Sequence, residues 1–505
     1  MALRFLIGAA GTGKTEYCMK EIITAQSTHK GRQIFLVPEQ YTSQAERDLT
    51  ARTERKGILT AEVLSFGRLA HQFFAKNGLN RAVILGDVGK QMALQKILLE
   101  QRDDLPYFCH MMDKNGFVSR LGKTITEFFR YRVTPEQLET LSTQEGLSHS
   151  VQDKCRDMAS IYRRYEEFLS QTYLTGDTTL SLLEEKLASS AAFGDTEIWL
   201  DGFYGFTPQE YGVIAQLLRL CKRVSITLPM DEHSYFASSL PPAAPFFEPH
   251  LTKQKLVSLA EEMGIAMESP IFFKENHRAK TPALAFLEKN YFYGYYKKSP
   301  DHEGIHICSC ATRESEMTYA AGQILSLVRE KGLRYRDIAI VTNAMSAYEK
   351  GLKGILSEAG IPYFVDSRRD ISSHPLILLV NSLLECVVYD FRYEAVFSYL
   401  KTGLTPMAQE DMDILENYVL AYGIKGYKWK KDVWTYGFQP GQEAEQAYLN
   451  DLRVQVMTPF APLLALKRKK NLPLRDWVTA LVVQLDTLGI AQKLTALSEA
   501  AAAKG

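Results

Sequence analysis

The chain has 505 residues, 46% of them hydrophobic, and its 59 basic side chains are matched by 59 acidic ones. This length and apolar content suffice for about three or four domains, and a formal charge of zero neither requires nor excludes nucleic acid, because acidic surface can offset a basic groove. No stretch reaches the roughly 18 uncharged apolar residues of a membrane span, and glycines and Lys14 interrupt the N-terminal run MALRFLIGAAGTGKT before a signal-peptide core develops, so a cytoplasmic protein without a membrane partner is expected.

The first element, Arg4–Gly8, reads as a strand entering a loop. Gly8-Ala9-Ala10-Gly11-Thr12-Gly13-Lys14-Thr15 matches G-x-x-x-x-G-K-[ST]. Glycines let the backbone curl so that its N–H groups point at phosphate oxygens. Lys14 would reach the outer phosphates, and Thr15 would offer a hydroxyl to Mg²⁺. A helix beginning near Lys14 would add the partial positive charge of its N-terminus. ATP and Mg²⁺ are the expected cofactors. A phosphate loop does not name a reaction, since kinases, motors and helicases share it.

Further strands are predicted at Gln33–Pro38, Glu197–Asp201, Arg223–Leu228, Gly304–Cys310 and Asp337–Thr342, alternating with helical patterns in the α/β manner. Between Val88 and Leu187 the pattern is helical, with Val88, Met92, Leu94, Ile97 and Leu98 spaced for one face and no strand expected. After the aromatic link YFYGYYKKSPDHEG a second α/β unit begins near Gly304. Its Cys308 and Cys310 would share a buried strand face, and the scattered cysteines suggest no metal cluster. His374-Pro375 reads as a helix start, and the Arg368-Arg369 pair as a solvated turn. From Ser382 the pattern is helical again, with Tyr418, Tyr422, Tyr427, Trp429 and Trp434 as packing residues. Two basic runs, Lys428 to Lys431 and Lys467 to Lys470, read as solvated helix faces.

The strings LVPEQYTSQAE, VLSFGRLA, LDGFYGFTPQE, RYEAVFSYLKTGL and LENYVLAYGIKG closely resemble the AddB family, the second subunits of bacterial AddAB helicase–nucleases. The resemblance covers essentially the whole chain. It implies an α/β fold with two RecA-like P-loop domains of superfamily 1 helicase type and helical insertions. The first domain would take residues 1–80 plus 190–275 with insertion 81–189, and the second residues 276–380 with insertion 381–505. The nuclease domain and a 4Fe–4S cluster of such proteins are expected beyond this segment, as is the return of the chain to the second core. Implied partners are an AddA-like motor–nuclease and single- and double-stranded DNA, in double-strand-break processing for recombination.

Against that family background the ATPase reads as reduced. Asp201 would hold the Mg²⁺ shell, but the glutamate that activates water in a motor is replaced by Gly202. LPMDEHSY lacks a γ-phosphate-sensing glutamine, and Ala347 stands at the arginine-finger position of IAIVTNAMSAYE. Glu210 is the remaining candidate base. A working helicase motor and a small-molecule P-loop kinase are the competing readings, the second disfavoured by the lack of a lid. Loops after successive strands would face single-stranded DNA. The family positions that read the recombination hotspot Chi match Gln40, Thr42, Phe66, Arg68, His71 and Phe206. Aromatic rings can stack on unpaired bases, and Gln or Arg can pair with base edges.

Overall fold

The apolar runs at the start of the chain fold into one parallel sheet in the computed structural model, which describes residues 1–27, 31–53, 57–58, 60–78, 83–114, 116–190, 192–291, 297–299, 301–366, 371–469 and 472–503. In chain order the strands are β1 (Ala2–Ile7), β2 (Arg32–Leu36), β3 (Ala61–Leu64), β4 (Val83–Leu85), β5 (Tyr173–Thr175), β6 (Thr196–Leu200), β7 (Arg223–Leu228), β8 (Ala266–Met267) and β9 (Ile271–Phe272). The main sheet runs β3-β2-β6-β7-β1-β8, with β9 also on β1, and its pairings are all parallel. The chain divides into two units, Met1–Cys308 and Ser309–Gly505.

A parallel sheet covered on both faces needs apolar side chains in both directions, hence continuous rather than alternating runs. Leu3, Phe5 and Ile7 of β1 join Ile34, Leu36, Ile198, Leu200, Val224 and Ile226 in the core of one face. Leu6, Phe35, Val37 and Trp199 point to the other. Helix α1 (Lys14–Ser27) and helix α2 (Thr42–Arg52) cover that second face through Cys18, Met19, Ile22, Ala45 and Leu49. Helix α3 (Phe66–Lys76) and the helix Pro208–Leu220 cover the first.

One charge is built into the sheet. Arg4 of β1 is only 5% exposed. Its guanidinium donates to the carboxylate of Glu21 on α1, with Nη1 at 2.9 Å, and to Ser225 Oγ on β7 at 2.9 Å, while Trp199 Nε1 donates to the same carboxylate at 2.8 Å. Against burial, which opposes ionisation, the hydrogen bonds of Arg4 and Trp199 hold the Glu21 carboxyl below its ordinary range. The network ties α1 to three strands.

The region between β3 and β6 is a helical layer with its own core around Leu94, Ile97, Leu98, Leu121, Ile125, Tyr162 and Tyr165. Two details correct the sequence expectation. Val88 and Met92 are 72% and 49% exposed, so of the expected stripe only Leu94, Ile97 and Leu98 are buried. β4 and β5 pair in parallel, Val83 opposite Tyr173 through Leu85 opposite Thr175. At three residues each, these strands are too short for a two-residue period to show.

Residues 276–308, grouped from sequence with the second domain, fall in the first unit. Gly304–Cys310, where the two units meet in sequence, and Asp337–Thr342 in the second unit are not strands. Ile307 and Val341 stand in the open at 96% and 91% exposure, whereas Ile338 is half-buried against the helices of the second unit. Cys308 is exposed and Cys310 half-buried, not the buried strand pair expected. An apolar run marks extended backbone, but a ladder requires a neighbouring strand to take its N–H and C=O groups. Helices Arg313–Lys331 and Met345–Glu358 pack together through Met317, Ala321, Ile324, Leu352 and Leu356. His374 caps the helix Pro375–Val388, its Nδ1 accepting from Leu376 N–H at 3.2 Å. Trp429, Trp434 and Tyr418 are buried in the larger helical core, whereas Tyr422 and Tyr427 are exposed. Arg368-Arg369 and Lys470 lie outside the described residues. No helix among the described residues is long and apolar enough to cross a membrane.

Candidate nucleotide site and adjoining cleft

Parallel strands that end in register place their outgoing loops on one edge. Ile7 lies opposite Leu228, and Leu36 opposite both Leu64 and Leu200. The phosphate loop, the Glu39–Tyr41 turn, Ser65, Asp201 and Pro229 therefore leave the sheet side by side, at the edge where ligands of open α/β sheets sit.

The loop is held at both ends. Gly8 N–H donates to Leu228 O at 3.4 Å, and the first turn of α1 closes with Tyr17 N–H on Gly13 O at 2.9 Å. Gly11 and Gly13 take φ values of 84° and 87°, the left-handed region where side chains are strained. At Gly8 the demand is space: a Cβ would stand 2.4 Å from Thr12 Oγ1 and 2.8 Å from the Phe273 carbonyl. Thr12 Oγ1 donates to Ala9 O at 2.8 Å, and the Lys14 ammonium to Gly8 O at 2.6 Å and Ala9 O at 2.9 Å. Burial, with Arg278 adding to it, lowers the pKa of Lys14, while Asp201 pulls the other way.

Asp201, 3% exposed, is firmly anchored at this edge. Its N–H donates to Leu36 O at 3.0 Å, Thr15 Oγ1 donates to its Oδ2 at 2.7 Å, and Thr227 Oγ1 to its Oδ1 at 2.6 Å. A hydroxyl and a carboxylate oxygen meeting at one point are hard donors of the kind Mg²⁺ accepts beside phosphate and water, so the residues present fit the ion. Gly202 follows with φ 85°, its Cβ position 3.3 Å from Pro38 Cδ. The Glu210 carboxylate, the candidate base from sequence, accepts from Thr207 N–H at 2.7 Å and Thr207 Oγ1 at 3.0 Å, capping the next helix. It also lines the neighbouring cleft. Asp231 is likewise used as a cap, accepting from Ser234 N–H at 2.7 Å.

Sequence reasoning missed the segment that flanks the loop. Beyond β9, Phe273 N–H donates to Ile7 O at 2.7 Å, His277 N–H to Gly11 O at 2.9 Å, and Asn276 Nδ2 to Ala10 O at 3.2 Å. This brings Arg278 into a cavity of about 430 Å³ with Gly11, Lys14, Thr15 and Asp201. The residues form a polar Asn-x-Arg triplet just past a short apolar run, a weak signal until that run is known to pair with β1.

Of the residues expected to face DNA, Phe66 and His71 line a second cleft of about 530 Å³, together with Glu39, Arg130, Phe203 and Glu210, whereas Gln40, Thr42, Arg68 and Phe206 are not part of that lining. Glu39, also missed, is its hub. Its carboxylate accepts from Ser65 Oγ, the cap of α3, and from Arg68 Nε at 3.2 Å. Arg68 and His71 are exposed, as is Gln40. Thr42 is buried with its hydroxyl donating to Glu39 O at 2.9 Å. Phe66 is 6% exposed and packs edge-on against Phe203 at 5.7 Å and Phe206 at 6.2 Å. Phe206 is part-buried against the same core.

The chain is 37% identical to the B-type subunit of the ATP-dependent helicase/deoxyribonuclease of Acetivibrio thermocellus, over 98% of this chain and 44% of that protein. It is 35% identical to the same-named protein of Desulforamulus reducens and 36% to that of Symbiobacterium thermophilum, each over 100% of this chain and 45% of the relative. The chain thus spans under half the length of these relatives. Residues 5–288, which hold both clefts, match the family described as "ADDB, N-terminal", and the chain belongs to the AddB family.

Proposed function

We propose that this chain binds ATP with Mg²⁺ at the phosphate loop and holds single-stranded DNA in the adjoining cleft, as the recognition subunit of an AddAB-type helicase–nuclease that processes double-strand breaks. The observation that carries the reading is the Thr15–Asp201–Thr227 cluster beneath the loop, followed by Gly202 where a motor carries its base. Bound Mg²⁺ would neutralise phosphate charge. Thr15 and Asp201 would hold it, Lys14 would meet the outer phosphates, and the loop N–H groups would orient them. With Gly202 in the position next to Asp201 where a motor carries its glutamate, ATP serves as a brace and hydrolysis stays near background. The RecA-like reading of the first unit accords with the loop at the end of β1. Recognition of a hotspot such as Chi would rest on His71 in the cleft lining and on the exposed Gln40 and Arg68, the latter paired with the lining residue Glu39, with Phe66, Phe206 and Thr42 as the packed frame behind them. An AddA-like partner would supply the motor.

Arg278 favours a second reading, an active motor, because it puts a cation where phosphate charge develops, the role sought at Ala347. The test is ATP binding and single-strand-stimulated hydrolysis for wild type and Lys14→Ala. Lys14-dependent binding without turnover supports the brace. Brisk DNA-dependent turnover that needs Lys14 and Arg278 establishes the motor.

A further inference from the structure

The two basic runs read from sequence as solvated faces meet in the second unit. Lys430 from the turn Gly426–Lys430, Arg453 from the helix Glu443–Met457, and Lys467 with Arg468 at the end of the helix Ala461–Lys467 line one cavity of about 460 Å³, with Trp429 and Leu464 between them. Four cations and no carboxylate form that lining. Some of the charge is answered from outside it. Lys430 pairs with Asp390, Arg453 Nη2 donates to the Asp432 carbonyl, and the Lys467 ammonium donates to Val387 O at 2.5 Å.

The rest is unanswered. Arg453 is 8% exposed and Trp429 fully buried, yet Arg453 Nε and Trp429 Nε1 have no acceptor among the described residues. A buried N–H left without an acceptor is costly, so two of them on residues of one cationic lining point to an acceptor that comes from outside. The Arg468 side chain also has no hydrogen-bond or ion-pair partner among the described residues. Several donors converging from different elements suit an anion with several acceptor oxygens, and arginine's fork suits phosphate.

We infer that this cavity binds a phosphate group, carried either by the backbone of DNA or by a free phosphorylated small molecule. The turn that supplies Trp429 and Lys430 favours DNA: next to them in sequence, Lys431 lies over the rings of Tyr427 and Tyr436, 5.6 Å and 5.2 Å from their centroids, and Tyr427 is 65% exposed. Cations interleaved with exposed aromatic rings hold unpaired strands. The site shares no residue with the phosphate loop or the cleft beside it.

The test uses Arg468→Glu in the whole chain, in a Lys14→Ala background so that the phosphate loop does not contribute. DNA affinity is read by anisotropy of labelled single strands and duplexes across a salt series, and small-phosphate binding by tryptophan fluorescence on adding pyrophosphate. If the source is DNA, Arg468→Glu weakens affinity about tenfold whatever the sequence, and the slope of log affinity against log salt falls by about 1. If the source is a small molecule, DNA binding is unchanged and the pyrophosphate response disappears. Loss of neither response overturns the proposal. Should Arg468→Glu lower the melting temperature, Arg468→Gln repeats both readings with only the charge removed. Failure here leaves Lys14-dependent ATP binding, measured without DNA, as a separate result.

Discussion

Phe66 is where the two roles of an aromatic residue at the cleft can be separated. Its ring is 6% exposed and meets Phe203 and Phe206 edge-on at 5.7 Å and 6.2 Å. Truncating a buried phenylalanine costs about 3–5 kcal/mol, and for a unit of this size each kcal/mol moves Tm by roughly 2–4 °C. Phe66→Ala is therefore expected to lower the Tm of the first unit by on the order of 10 °C and to weaken DNA binding as a consequence. Arg68→Ala removes only an exposed pair with Glu39, worth about 0–1 kcal/mol, and should lose hotspot response with the fold intact. The assay is thermal unfolding followed in parallel with single-strand affinity. Phe66→Ala that melts like wild type while losing DNA would refute the packing argument and make the ring a base platform.

Three further outcomes follow from the same geometry. Gly202→Glu restores the residue type of a motor base, but at φ 85° a side chain costs about 1–2 kcal/mol, so the variant should be less stable and no faster at ATP hydrolysis, as read by melting and phosphate release. Lys14 must be charged to hold phosphate and burial lowers its pKa, so ATP affinity should fall as pH rises through that lowered value, below the 10.5 of a free lysine, by up to about tenfold per pH unit; equilibrium binding against pH checks it, and Lys14→Arg should flatten the curve. Glu21 has a lowered pKa, so its contribution is complete above the ordinary value of 4.5 and lost as pH falls through the folded value. Glu21→Gln leaves the buried Arg4 charge only the more distant Glu268 at 3.9 Å, should cost up to about 3 kcal/mol at neutral pH, and should flatten this acid limb in urea titrations.

Much of the first unit was legible because burial on both faces forces continuous apolar runs. β1, β2, β6 and β7 fall within two residues of their expected ends. Lys14, Thr15 and Asp201 were legible for a related reason, since a phosphate loop and a strand-end acid can be placed once their strands are. Arg278 was not, because its position depends on β8 and β9, two-residue strands whose pairing with β1 is a long-range event. Thr42 and Phe66 show a different gap. Their sites next to strand ends were correctly read, but whether a side chain turns outward or packs is decided by Glu39, Phe203 and Phe206, which the local pattern does not contain. Ile307 and Val341, further along the chain, carried the strand signature without the ladder.

The two clefts of the first unit are not independent. Phe203 lines both, standing two residues past Asp201. The segment between is short and constrained, with Asp201 held by two hydroxyls and a sheet hydrogen bond, and Gly202 in left-handed backbone against Pro38. Whatever fixes Asp201 therefore narrows the positions open to Phe203, and through its ring contacts those of Phe66 and Phe206. On the proposed reading, a nucleotide that is held and not hydrolysed would keep that constraint in place. For a motor this would be a defect, because stepping needs the constraint released each cycle. For a cleft that compares one passing sequence with another, as proposed, it would be an advantage, since a frame that does not move spends less of the binding energy on ordering itself.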